Sequence, residues 1–277
     1  MRRLLCIVSA WAFLSFLVLP GHLVRADAQP LIGVYMDTIG FLLDLRLSPP
    51  LLLVVDGSPA VRAGLQSGDR LIALDDQDIQ AVLPTILQKL QGPPGSTLKL
   101  TVKRGDQTLS VTTERGQPRA VPLETILFPY PAPRVWDAVI DTITSGELVF
   151  ASRGIAALGR RGFSFAHLYR VKSVDRTLGV IICERFDWGE EVPLREATAN
   201  YNSDIEAISD GPRGLLVIWT IIRITPTIRI SDRNTVTAVR ISLAMEAHNT
   251  LSGWGPVRSK WTLESTTFLA ITSRLTR

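Results

Sequence analysis

Glycines and prolines divide residues 48–105 into runs too short for any long helix but one. They therefore fix what the first half of this chain can fold into. Ser48-Pro49-Pro50 turns the chain, and Leu51 to Val55 follows as an uninterrupted apolar run that reads as a strand. Gly57-Ser58-Pro59 then opens a short helix, with Ser58 as its cap and Pro59 at the first helical position. Gly64 ends that helix, and Gly68-Asp69 turns into a strand at Arg70–Leu74, with Asp69 closing the turn onto backbone amides. Residues 79, 82, 83, 86, 87 and 90 are apolar at the spacing of an amphipathic helix, with Pro84 early enough to be tolerated. Gly92 to Gly95 stops it. Thr97–Arg104 and Gln107–Glu114 form a hairpin around Gly105-Asp106. Upstream, Thr38–Arg46 is mostly apolar and reads as extended chain.

Two boundaries frame this unit. Arg2 and Arg3 precede an uncharged apolar stretch, Leu4 to Leu19, broken by Pro20-Gly21 and followed by Ala26-Asp27-Ala28. That is the pattern of a secretory signal peptide, too short for a membrane span, with cleavage expected after Ala28. The mature chain is then exported and periplasmic; the alternative is an uncleaved anchor in the inner membrane. Cleavage removes Cys6 and leaves Cys183 alone in an apolar strand-like run, a packed thiol rather than a reactive one. Downstream, Gly116, Pro118, Pro122, Pro129, Pro131 and Pro133 make a connector, so we divide the chain into 1–28, 29–117 and 118–277.

Asp56-Gly-Ser-Pro-Ala60, Ala63-Gly-Leu65, Gly68-Asp-Arg-Leu71, Gln91-Gly-Pro-Pro-Gly-Ser-Thr97 and Leu100-Thr-Val-Lys-Arg104 stand in an order and spacing that resembles the bacterial, circularly arranged PDZ domain. This type occurs in periplasmic heat-shock serine proteases and C-terminal processing peptidases. The resemblance implies a barrel-like β domain that takes a peptide as an added strand and captures its terminal carboxylate in a glycine-containing loop. Ile39-Gly40-Phe41-Leu42, continuing into Leu43, is the preferred match for that loop, and Leu31-Ile32-Gly33-Val34 is its rival. Leu83, Ile86 and Leu87 on the long helix are candidates for the pocket wall. All are apolar, so the expected partner is a protein or peptide with an apolar C-terminus, among them an envelope protease or assembly factor.

The second half reads as α+β, an antiparallel sheet with helices on one face. A helix is expected at Pro133–Thr144 and strands at Leu148–Ser152, Phe163–Val171, Leu178–Phe186, Leu215–Thr225, Thr227–Ile230 and Thr235–Ala247. Val121 to Leu127 is a further strand candidate. Gly253 to Gly255 is read as a break, and Ser259–Leu275 as a closing helix. The polar, acidic stretch Glu190 to Asp210 reads as a surface loop. The helix–strands–helix order resembles small domains of bacterial envelope assembly lipoproteins, a fold-level likeness that carries no function.

Catalytic and metal chemistry finds no footing. The mature chain holds only His167 and His248, no Gly-x-Ser-x-Gly, no Ser–Lys arrangement after the first domain and no His-Glu-x-x-His. Asp75, Asp76 and Asp78 lack the spacing of a calcium loop. No cofactor, metal or nucleic-acid partner is expected, because the formal charge of +4 is spread without a basic run. The reading is a non-catalytic adaptor. Its rivals are a structural PDZ domain beside a lipid- or small-ligand-binding second domain, and an unrecognised hydrolase.

Overall fold

The computed structural model describes residues 32–36, 49–79, 89–90, 92–116, 125–145, 149–150, 163–164, 168–188, 209–210, 219–249, 253–259 and 261–276. The signal-like segment, the acidic stretch up to 208 and the division at 117/118 lie outside these residues.

In the first half, β1 (Val34–Met36) pairs antiparallel with β2 (Leu52–Val54), in register Val34↔Val54, Tyr35↔Leu53 and Met36↔Leu52. The partner of β2 is thus Val34–Met36, which the sequence reading passed over for Thr38–Arg46. Three residues are too few to show a period. Helix α1 (Pro59–Arg62) begins at Ser58, whose hydroxyl accepts from the Val61 amide at 3.3 Å. Strands β3 (Arg70–Leu74), β4 (Gln77–Asp78), β5 (Thr97–Arg104) and β6 (Gln107–Glu114) form a sheet of order β4-β3-β5-β6. Asp75 and Asp76, at φ 47° and 62°, make the tight turn between β3 and β4. Asp75 accepts from the Lys99 amide and Asp76 pairs with the Lys99 ammonium at 2.7 Å, so these carboxylates tie the turn to β5.

The second half opens with β7 (Thr125–Phe128) and helix α2 (Ala132–Thr144). Short strands β8 (Val149–Phe150) and β9 (Phe163–Ser164) pair with each other. Then come β10 (Val171–Asp175), β11 (Val180–Cys183), β12 (Phe186–Trp188), β13 (Ser209–Asp210), β14 (Trp219–Arg233), β15 (Val236–Asn249), β16 (Gly253–Ser259) and α3 (Thr262–Leu275). The sheet runs β10-β11-β14-β15-β16-β13, with β12 also on β14 and β7 also on β15. Alternate residues of the long hairpin (Ile222, Ile224, Ile228 and Ile230; Val239, Ile241, Leu243 and Met245) are buried against both helices, which lie on one face.

Three expectations are corrected. Phe163–Val171 and Leu178–Phe186 are each interrupted, by turns at Leu168–Tyr169 and at residues 176–179 and by a non-strand step at Glu184–Arg185, where the Glu184 amide donates to the Arg170 carbonyl. Gly253 and Gly255 lie inside β16 rather than in a break, because pairing with His248 and its neighbours supplies the order that glycine itself does not. Pro226 does not end a strand. The Ile230 amide donates to the Gly179 carbonyl, so by alternation the missing N–H of Pro226 faces the β11/β12 side. It meets that side at the gap between β11, paired to Thr227–Arg229, and β12, paired to Ile222–Ile224, where no ladder bond is lost.

The two halves share a wall. Val34, Met36, Leu52 and Val54 belong to the core of the first half. Leu53 is buried in the core of the second, and Tyr35 packs against it. Successive residues of a strand point to opposite faces, so the β1–β2 ribbon serves two cores at once. The uninterrupted Leu51–Val55 run is what such burial on both faces requires. Beyond the ribbon, Val55 bridges Ile126, the Asp56 amide donates to the Thr125 carbonyl at 2.8 Å, and Arg233 pairs with Asp56 at 2.8 Å.

Candidate peptide-binding site

The site is framed by β1 and the chain that leads into it. Gly33 sits at φ +76°, and a Cβ there would stand 2.0 Å from the Cβ of Ser58. Only glycine lets the backbone pass over the start of α1 in this way. The Ile32 carbonyl accepts from the Ala60 amide and the Gly33 carbonyl from the Val55 amide, both at 2.9 Å. These bonds fix the entry to β1 and its phase. Gly33 and Tyr35 turn their backbone groups toward β2, so Val34 and Met36 turn theirs outward. Among the described residues no strand pairs with that outer edge. An unpaired strand edge is what an added peptide strand uses.

Of the helix expected from Ile79 to Leu90, the structure describes Lys89 and Leu90 as helical. There the sequence reading missed a residue. Arg115, buried at the end of the closing hairpin, donates to the carbonyls of Leu90, Lys89 and Thr97 and to the Ser96 hydroxyl. A guanidinium satisfying the last carbonyls of a helix also suits its dipole. Arg115 therefore anchors the helix end to the β5–β6 hairpin. Its signal was available only as a basic residue at a hairpin's end, which nothing local marks out.

Asp69 performs its expected turn closure, accepting from the Gln66 amide at 2.9 Å. It also holds Arg104 in a two-pronged pair, at 2.7 and 2.8 Å, while Arg104 donates to the Gly64 carbonyl. The bond to Asp69 raises the Arg104 pKa above its ordinary value. The pair pins the turn after α1 to the end of β5.

Ile39, Gly40, Phe41, Leu42, Leu43, Leu83, Ile86 and Leu87 lie outside the described residues. Of the two glycine loops the structure describes the Gly33 one, and it gives Gly33 a structural duty against Ser58.

A family model described as PDZ domain matches residues 52–104. The match runs from β2 through β5 and starts after both glycine loops, so the chain carries a PDZ domain within its first half. No curated protein matches the chain. Among the described residues no cluster of three or more His, Cys, Asp or Glu is placed to hold a metal, and no helix is long and apolar enough to cross a membrane. Cys183 is buried, and desolvation pushes its thiol up to about 12.

Proposed function

We propose that the protein is a non-catalytic, exported adaptor that captures apolar C-terminal tails of envelope proteins and thereby modulates their proteolysis or assembly. The observation that carries this reading is the outer edge of β1, unpaired among the described residues, in a chain with a PDZ match over 52–104. PDZ domains bind peptides by strand addition, with the terminal carboxylate held on backbone amides. In this reading the peptide pairs with the outward N–H and C=O groups of Val34 and Met36. Its carboxylate meets the Gly40 loop, and its side chains meet Phe41, Leu83, Ile86 and Leu87.

Three forms of one apolar-tailed peptide test it on residues 29–277: free acid, C-terminal amide, and a form N-methylated at alternate backbone positions. Tight binding of the free acid alone is expected, with Gly40→Asp abolishing it. Equal binding of the amide overturns carboxylate capture, and equal binding of the N-methylated form overturns strand addition.

A further inference from the structure

The face of the large sheet turned away from α2 and α3 carries a pair of like charges. Arg229 of β14 stands directly opposite Arg240 of β15. Their strand neighbours Ile228, Ile230, Val239 and Ile241 are buried in the core, so both arginines occupy the open face. The Ile230 amide bonds toward β11, which turns the backbone of Arg229 toward β15 and makes this a hydrogen-bonded pair with Cα atoms about 5.5 Å apart. Two cations so placed repel each other.

Nothing among the described residues offsets them. The acids of this face are engaged elsewhere: Asp187 with Arg185 and Arg223, Asp56 with Arg233. Glu246 stands opposite Arg223, six residues along β14 from Arg229. Asp175, in the same row as Arg229 but two strands away, accepts the amides of Thr177 and Leu178. The Nε of Arg240 is buried with no hydrogen-bond partner, so no acceptor among the described residues engages it. Hydroxyl-bearing residues surround the pair, with Thr125 opposite Arg240 and the Thr227–Ser242 pair in the next row.

We propose that Arg229 and Arg240 bind the carboxylates of an acidic, extended polypeptide segment, at a site separate from the PDZ edge. Two guanidinium forks with flanking hydroxyls match carboxylate geometry. A polypeptide fits better than a bilayer, because Glu246 is exposed at the other end of the same face. A uniformly anionic plane laid across the sheet meets it, whereas a segment with its acids at one end does not. Ile182, beside Thr227 and 44% exposed, offers an apolar contact to the same segment.

The test is fluorescence anisotropy on the full chain with a rhodamine-labelled Glu-Ser repeat peptide and its Gln-Ser counterpart. Binding of the Glu peptide alone is expected, weakening with salt. Arg229→Gln/Arg240→Gln is expected to weaken it by about tenfold or more. Lys99→Gln/Lys103→Gln, which removes equal charge from the PDZ half, leaves it unchanged. The thermal midpoint of the Arg229/Arg240 variant should not fall, since a repulsion is removed. Should that variant prove less stable, Arg229→Glu at the exposed member is read instead: lost binding supports the site and unchanged binding overturns it. Equal loss in the lysine variant overturns it too. So does variant-sensitive binding to phosphatidylserine vesicles without binding of the Glu peptide.

Discussion

Glu264 is a buried acid whose ionisation is displaced into the neutral range. It is fully buried in the first turn of α3, with one oxygen held by the Ser259 hydroxyl at 2.8 Å and the other unpartnered. Desolvation disfavours its charge and raises the carboxyl from 4.5 to about 7. Between those values the folded chain binds more protons than the unfolded one, so stability falls as pH rises through that window and is flat above it. The loss amounts to about 3 kcal/mol. Glu264→Gln should therefore be the more stable form at pH 8 and lose its advantage near pH 4.5, which urea midpoints at the two values will show. Gly33 gives a second expectation at this scale. Gly33→Ala places a methyl on Ser58 in left-handed backbone, and should cost about 1–3 kcal/mol, read by the same titration.

At the scale of elements, the two faces of β2 make separable predictions. Leu52→Ala opens the first core and Leu53→Ala the second; each should cost about 2–5 kcal/mol. Only Leu53→Ala should also disturb the stack of Tyr35 on Trp261, whose rings lie 4.3 Å apart, and so shift tryptophan emission in the native state. Which leucine faces which core was not legible in the sequence. The apolar run announced burial on both sides, but the identity of the second neighbour depends on residues some 200 positions away. Punctuation by glycine and proline did reveal the Ser58 cap, β3 and the β5–β6 hairpin, because turn chemistry is local. Pro226 misled for the converse reason: its tolerance comes from a gap between β11 and β12, which no window around residue 226 contains. Helix α3 was legible despite its threonines. Thr267 and Thr272 bond back to the carbonyls of Leu263 and Phe268 at 2.8 and 2.7 Å, which removes the cost of burying their hydroxyls. In the candidate site, the apolar loop residues that the family resemblance marked lie outside the described residues. Arg115 was not legible, since its duty arises only once the hairpin and the helix end have met.

At the scale of the molecule, the shared ribbon predicts coupled unfolding. Every tryptophan beyond the signal-like segment (Trp136, Trp188, Trp219, Trp254 and Trp261) lies in the second half, so their emission reports that half. Leu71→Ala, placed wholly in the first core, should still lower the denaturation midpoint seen by tryptophan emission, in step with that seen by circular dichroism. An unmoved emission midpoint would mean that the halves unfold independently. The ribbon also bears on descent. Leu53 falls within the PDZ match and Tyr35 stands opposite it on β1, yet Trp261 and the second core decide which side chains they tolerate. Substitutions at these positions should be correlated across related chains, and a PDZ domain transplanted from another lineage should fail here until both are restored.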